Sequence, residues 1–163
     1  MVAYTYRLPA GIPGTVHRIE SATIEPQEID PTNPPAAYGV PVKVISGRMQ
    51  PLAASDAVGV IYGINVRDFP GVASQDPLGV STPPVRGGMS VLKRGYINVL
   101  LAGATAAVKG GTVYVRVATP SSGKPIGGFE AAADGANTVA LPANSYFMGP
   151  ADAYGNTEIA YNI

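Results

Sequence analysis

The stretch V-G-V-I-Y-G-I-N-V-R-D-F-P, residues 58–70, decides the fold class of this chain. Large apolar side chains occupy the even-numbered positions from 58 to 66, whereas the odd-numbered positions from 59 to 67 are mostly small or polar, with Ile61 as the exception. A β-strand sends successive side chains to opposite faces, while a helix would scatter the same residues around its circumference. The stretch therefore predicts a strand with one apolar face, closed by a turn at residues 68–71. The side chains on that face are Val58, Val60, Tyr62, Ile64 and Val66.

Short alternating segments of the same kind recur on both sides of this stretch, with glycine and proline between them. Ser46-Gly47 predicts a tight turn, and residues 112–117 predict a strand with its valines inward and Thr112, Tyr114 and Arg116 outward. The other predicted strands are residues 15–24, 40–45, 90–101, 129–133, 138–141, 145–148 and 157–161. Many short strands and hardly a helical window indicate an all-β fold. We expect a β-barrel or a jelly-roll-like sandwich of short antiparallel strands.

The first 39 residues differ from the remainder of the chain. Six prolines recur there at short intervals, so no helix can persist and a central strand is unfavourable. We interpret residues 1–39 as an extended N-terminal arm and residues 40–163 as the β domain. Residues 25–38 are read as turn-rich, either a solvated loop or a segment that lies across a neighbouring subunit. Further exposed loops are predicted at residues 71–88 and 120–128.

Composition excludes several functional classes. The chain has 163 residues, no cysteine, and 11 basic against 11 acidic residues. Disulfides and thiolate chemistry are therefore absent, and there is no basic excess to attract nucleic acid. Only 13% of the residues are charged while 46% are hydrophobic, so we expect partners to cover part of the surface. The N-terminus lacks a signal-peptide core and no apolar run reaches 18 residues, so we expect neither secretion nor membrane insertion.

No catalytic, cofactor-binding or metal-binding motif is evident. His17 is the one histidine, and it has no nucleophile motif to activate. Carboxylates such as Asp152 and Glu158 could approach each other as glycosidase acids do, but the chain lacks tryptophan for a sugar platform. The glycine pairs precede strands and lack the Gly-Lys-Ser/Thr ending of a phosphate loop. We expect no enzyme, no cofactor and no metal.

Three basic residues, Arg86, Lys93 and Arg94, lie near Tyr96 in the sequence. Basic residues beside an aromatic ring can form a groove for single-stranded nucleic acid. Three charges and one ring are weak support for that reading, and a salt-bridging interface is favoured. We therefore expect no nucleic-acid partner.

Two groups of motifs resemble the structural cement proteins that decorate the heads of tailed bacteriophages. Residues 58–70 are similar to a G-x-x-x-G-x-x-V-R-x-(Y/F)-P strand of that family. The order of K-R-G-Y-I-N-V at 93–99, G-T-V-Y-V-R at 111–116 and G-G-F-E-A at 127–131 is also similar. The resemblance runs from about Ile45 to Ile163 and rests on strand and turn patterns.

The resemblance implies a virion structural protein, made in the host cytoplasm, that binds the outer surface of the assembled head and strengthens it. It implies the major capsid protein and neighbouring copies, as a dimer or trimer, as partners, and it carries over no catalytic residue. The alternative function is a glycan-binding virion or tail-associated β domain. The residues predicted to contact the capsid are Tyr4, Tyr6, Arg7, His17, Arg18, Arg86, Lys93 and Arg94.

Overall fold

The computed structural model describes residues 11–67 and 82–163. Within them the chain forms strands joined by turns and three short 3-10 turns, at Ile19–Ser21, Val58–Val60 and Gly135–Asn137. The strands are β1 (Thr23–Ile29), β2 (Pro41–Ile45), β3 (Arg48–Pro51), β4 (Gly63–Asn65), β5 (Gly88–Leu100), β6 (Tyr114–Arg116), β7 (Phe129–Glu130), β8 (Thr138–Ala140), β9 (Tyr146–Phe147) and β10 (Asn156–Tyr161). The predicted all-β fold is confirmed.

The long strand β5 organises both halves of the molecule. Its first part, Gly88 to Arg94, pairs antiparallel with β1, and its second part, Gly95 to Leu100, pairs antiparallel with β10. In the first half the pairings run β1–β3–β2–β4–β5 and return to β1, so these five strands close into a small barrel.

The second half is built on the other end of β5. There β10 pairs with β9, and a separate sheet has the order β7-β6-β8. Two isolated bridges connect this sheet to the first, Thr112 to Tyr146 and Leu101 to Phe129. Because Leu101 directly follows β5, the pairings of the second half also return to the shared strand.

Neighbouring side chains of β5 enter two different cores. Val91 belongs to a small cluster with Ile29, Val42, Met49 and Met89. Leu92, the next residue, belongs to a larger cluster that includes residues of β4, β6, β9 and β10. Successive strand residues point to opposite faces, so one strand contributes apolar side chains to both halves. The two cores are therefore held together by a single continuous backbone.

The predicted turn at residues 46–47 is present and joins β2 to β3. Ser46 has φ +51° and Gly47 has φ +77°. Positive φ at both central residues characterises the type I′ turn, whose twist matches that of a two-residue hairpin. Two other features differ from the expectation of short antiparallel strands: β1 and β3 are parallel, and β5 has 13 residues.

The opening stretch is only partly a strand. Ile64 and Val66 are buried as predicted, but Val58–Val60 forms an exposed 3-10 turn and the strand is confined to Gly63–Asn65. The Val60 N–H donates to the Ala57 carbonyl and the Ile61 N–H to the Val58 carbonyl, which closes this turn. In the connection before it, the Asp56 carboxylate accepts hydrogen bonds from Lys43 Nζ, at 2.8 Å, and from the Ala53 N–H. These contacts hold the chain in a turn that sequence alternation alone does not reveal.

The N-terminal region also differs from the prediction. A strand was expected at residues 15–24 and a turn-rich segment at residues 25–38, whereas β1 spans Thr23–Ile29 and pairs with both β3 and β5. Pro26 is tolerated inside β1 although it has no N–H to donate. Part of the predicted arm is therefore a barrel strand.

The strand predicted at residues 112–117 shows the expected burial of Val113, Val115 and Val117. Arg116 was predicted to face solvent, and this prediction is wrong, since only 2% of the residue is exposed. Its guanidinium is covered on the second face of the sheet by Glu130 and Asp134. A paired charge can be buried where an unpaired one could not.

Candidate interaction surface

The clearest concave feature of the described residues is an apolar groove beside the end of β5. Its volume is about 610 Å³, within the range of ligand and peptide sites. Four segments form most of its walls: residues 12–13, residues 36–40, the end of β5 with residues 101–102, and residues between 123 and 129. Arg67 and Thr82 complete the lining. We call this feature the apolar groove. Its lining is dominated by aliphatic and aromatic side chains, so it favours an apolar partner.

The groove exists because glycines bring backbone segments close together at its edges. A Cβ on Gly128 would lie 2.9 Å from the Pro125 carbonyl oxygen and 3.2 Å from Ala102 Cβ. A Cβ on Gly39, which has φ +68°, would lie 2.5 Å from the Gly14 nitrogen. Larger residues at either position would have to push a wall away, so the glycines fix the shape of the groove.

Two apolar side chains at the groove are exposed to an unusual degree. Leu100 is 52% exposed and Ile12 is 43% exposed, although both line the groove. On another wall the Arg67 guanidinium lies over the Tyr38 ring, 5.5 Å from its centroid. Burial of such side chains against a partner would release apolar surface from water, which is the main driving force of association.

The chain segment that forms one wall is firmly attached to β5. The Gly14 N–H donates to the Asn98 carbonyl at 2.8 Å, and the Asn98 N–H donates to the Thr15 carbonyl at 3.0 Å. Val16 forms a bridge with Ile97. Ile12 and Pro13 are therefore held in place by the backbone that follows them.

Two predicted contact residues, His17 and Arg18, lie together on the exposed side of β5. Arg18 pairs with Glu158 at 2.8 Å and stacks on Tyr96, with 4.1 Å from Cζ to the ring centroid. His17 Nε2 lies 2.6 Å from Asn98 Nδ2. Neither residue lines the apolar groove, and the side chain of Arg18 is still 44% exposed.

The structure separates the three basic residues that are near one another in sequence. Lys93 Nζ lies 3.3 Å from the Tyr62 ring centroid and donates to the Tyr62 carbonyl, and burial lowers its pKa. Arg94 is exposed and points to the opposite face. Arg86 precedes β5, and Gly88 to Arg94 alone spans about 20 Å at 3.3 Å per residue. They form no single basic patch. Tyr4, Tyr6 and Arg7 lie outside the described residues.

A buried ionic cluster supports the three-stranded sheet. Arg116 Nε donates to Glu130 Oε1 at 2.5 Å, and Arg116 Nη2 lies 2.6 Å from Asp134 Oδ2. Burial would raise the pKa of Glu130, but hydrogen bonds from Arg116 and Lys124 outweigh it, so this pKa is lowered. Hydrogen bonding to Arg116 lowers the pKa of Asp134. Every charge is paired, so we assign the cluster a structural role.

The described residues contain no group of three His, Cys, Asp or Glu side chains arranged to hold a metal ion. Between residues 11 and 67 and from 82 onward, no helix has the length and apolar character needed to cross a bilayer. Asp152 accepts hydrogen bonds from the Tyr154 and Asn156 N–H groups in the last hairpin, while Glu158 pairs with Arg18. Both carboxylates thus have evident structural partners.

Comparison with solved structures relates this fold to a protein of a virus shell. A chain of the structure "The capsid of Myoviridae Phage XM1" superposes with a TM-score of 0.71 and 18% sequence identity. The superposition covers 98% of this chain and 95% of that chain, and at this identity it shows the fold. A search of curated protein sequences found no significant match.

A family model matches the sequence over residues 1–161, nearly the whole chain. The protein is therefore a structural component of a bacteriophage capsid. It belongs to the family described as XM1 gp53 minor capsid protein. The resemblance to a capsid-associated phage family is thus confirmed, and membership places the chain in the virion, in interaction with other capsid components. A capsid family indicates a structural role rather than catalysis.

The residues predicted from the sequence to contact a partner do not include those of the apolar groove. Its walls come from four separate segments, and neither Leu100 nor Ile126 carries a local sign of a site. One signal was available, because Val99, Leu100 and Leu101 are three consecutive apolar residues in a strand. In a strand with one solvated face, the middle residue of such a run would point to water. An apolar Leu100 at that position therefore indicates that both faces of the strand end are covered by protein.

Proposed function

We propose that this protein binds the outer surface of the assembled phage head and stabilises the shell as a cement or decoration protein. Its partners are the major capsid protein and neighbouring copies of itself, in a dimer or trimer. One observation carries the proposal: a chain of a minor capsid family has an apolar groove whose lining residues Leu100 and Ile12 are left about half exposed.

Low charge supports this reading. Only 22 of 163 residues are ionisable as Asp, Glu, Lys or Arg, and several of them pair internally, as in Lys43–Asp56 and Arg116–Glu130. A surface of this kind is poorly suited to a solitary soluble protein but tolerates close packing with neighbours. Few charges then have to be desolvated when copies crowd on a lattice.

Stabilisation follows from mass action. A protein that binds the assembled lattice, and not free subunits, lowers the free energy of the assembled state in proportion to the occupied sites. Many copies linked through common neighbours add avidity to individually modest contacts. The proposal therefore requires no catalytic group and no conformational switch.

The predicted contact residues that lie in the described part of the chain divide into two groups under this proposal. His17, Arg18, Arg86 and Arg94 are exposed and remain proposed contacts with the capsid. Lys93 has its ammonium group engaged with Tyr62, so we expect it to support the barrel more than the attachment.

The test is addition of the purified protein to heads that lack it. We expect saturable co-sedimentation with heads, no binding to unassembled major capsid protein, and a higher temperature of head disruption. Electron microscopy should show the added density on the outside of the shell. Density on the inner surface, or equal binding to free subunits, would exclude the cement role.

One feature supports the alternative of glycan binding. Tyr154 stands at the tip of the last hairpin and is 83% exposed, so its ring offers a ligand an apolar face and a hydroxyl that can hydrogen-bond. A glycan array comparing the native protein with Tyr154→Ser tests it. Binding that depends on Tyr154 would support this second function, and an array without hits would remove it.

A further inference from the structure

The apolar groove lacks an occupant among the described residues, and the sequence contains a segment that fits it. Residues 1–10 read M-V-A-Y-T-Y-R-L-P-A. Apolar side chains fall at Val2, Tyr4, Tyr6 and Leu8, every second position, while Thr5 and Arg7 alternate with them. An extended peptide of this pattern presents one apolar face, which is the complement that the groove lining requires.

The path of the chain argues against a segment filling the groove of its own copy. Ile12 and Pro13 form part of the wall, and just before them Gly11 lies against Asn98 and His17, so closely that a Cβ there would be 2.3 Å from Asn98 Nδ2. Neither Asn98 nor His17 lines the groove. At Gly11 the backbone is therefore outside the groove lining of its own copy.

The length of the segment is sufficient to reach a neighbour. Ten extended residues span about 33 Å, which exceeds the width of a small β-barrel. The groove volume of about 610 Å³ accommodates several side chains of the size of tyrosine and leucine.

We propose that residues Val2–Leu8 of one copy dock in the apolar groove of a second copy, between Leu100 on one wall and Ile12 and Tyr38 on the others. This inference rests on the proposed function, since it names the partner that the groove takes when copies stand side by side on the head. Each copy then both donates a segment and receives one, so the contact extends from copy to copy or closes into a ring.

The absence of cysteine from the chain allows a direct test. The variants Tyr6→Cys and Leu100→Cys, one of them isotope-labelled, are mixed in full-length form, loaded on heads lacking the protein, and oxidised. A disulfide forms only where Cα atoms come within about 7 Å. We expect mixed disulfide dimers, identified by mass spectrometry. Val108→Cys replaces Leu100→Cys in the control, because Val108 is 64% exposed and does not line the groove.

Three results would overturn the inference. The first is that a double Tyr6→Cys/Leu100→Cys variant forms only an internal disulfide. The second is that Tyr6→Cys cross-links equally to Val108→Cys. The third is that no cross-links form although both variants load on heads. Co-sedimentation measured in the same samples separates the two proposals. Heads that bind the protein without cross-links refute the docking alone, whereas failure to bind heads refutes the cement role.

Discussion

Arg116 and Glu130 form a buried ion pair across β6 and β7, with 2.5 Å between Arg116 Nε and Glu130 Oε1, and the two side chains are 2% and 5% exposed. Glu130 lies opposite Tyr114 in the strand register, so its carboxylate reaches diagonally to Arg116 on the same face. Lys124 approaches Glu130 Oε2 at 3.2 Å. This pairing fixes the short three-stranded sheet where strands of two and three residues would otherwise contribute few ladder hydrogen bonds.

Arg116→Met should destabilise the protein by about 3–5 kcal/mol, because it leaves the Glu130 carboxylate buried without its main partner. Urea unfolding followed by circular dichroism measures the change. The matched control is Arg48→Met, which breaks the exposed Arg48–Glu28 pair and should cost less than about 1 kcal/mol. Equal losses of unfolding free energy in the two variants would show that the buried pair contributes no more to stability than the exposed pair.

Lowering the pH should reduce the free energy of unfolding of the wild-type protein more than that of the Arg116→Met variant. The pKa values of Glu130 and Asp134 are lowered in the folded state, so the unfolded state binds more protons below about pH 4, near the unperturbed values of ~4.3 and ~3.9. The stability they supply is present above those values and is lost as the pH falls through the folded-state pKa values. The urea midpoints of the two proteins should therefore converge between pH 6 and pH 3, and a constant gap would refute this account.

Gly63→Ala and Gly59→Ala should behave differently although both glycines belong to one sequence motif. A Cβ at Gly63 would lie 2.5 Å from the Leu92 carbonyl oxygen, across the β4–β5 pair, whereas Gly59 has open space around it. We expect Gly63→Ala to cost about 1–3 kcal/mol through forced backbone shifts, and Gly59→Ala to stay within about 0.5 kcal/mol. Thermal unfolding of the two variants measures the difference. Similar melting temperatures would contradict the close approach of Gly63 to the Leu92 carbonyl oxygen.

Leu100→Asp should impair attachment to heads without impairing folding. Leu100 is half exposed, so a charge there leaves the free protein stable, but it would be desolvated when a partner covers the groove. We expect affinity for heads to fall at least about tenfold, equivalent to ~1.4 kcal/mol, in a sedimentation assay. Val108→Asp changes an apolar site that is also more than half exposed but lies away from the groove, and it should bind as wild type. A loss of binding by both variants would indicate a general surface effect.

The sequence allowed the fold class to be predicted but not the details of the barrel. Residues that repeat with period two, such as Val113, Val115 and Val117, were assigned to the core correctly because burial on one face imposes that period. The same reasoning failed for Val58 and Val60, since the ion pair of Lys43 with Asp56 holds the preceding connection as a turn. Such contacts join residues distant in sequence and have no periodic signature.

The candidate site was less predictable than the fold. His17 and Arg18 were predicted to contact the capsid, and the structure places both on the surface, with Arg18 over the Tyr96 ring and His17 beside Asn98. The groove itself depends on how residues 12–13, 36–40 and 123–129 converge on the end of β5, which no local pattern encodes. A lone histidine or arginine is noticeable in a sequence, whereas an apolar concavity is a property of the tertiary arrangement.

The sharing of β5 by both halves also has a mechanical meaning. Gly88 to Arg94 pairs with β1 and Gly95 to Leu100 pairs with β10, and the change of partner is marked by a register irregularity opposite Lys93 and by a positive φ, +140°, at Gly95. A pull applied to the groove end is passed along this backbone into the five-stranded barrel as shear on many hydrogen bonds at once. We expect a subunit with such a shared strand to resist stepwise separation of its two halves, because hydrogen bonds of both would have to break together.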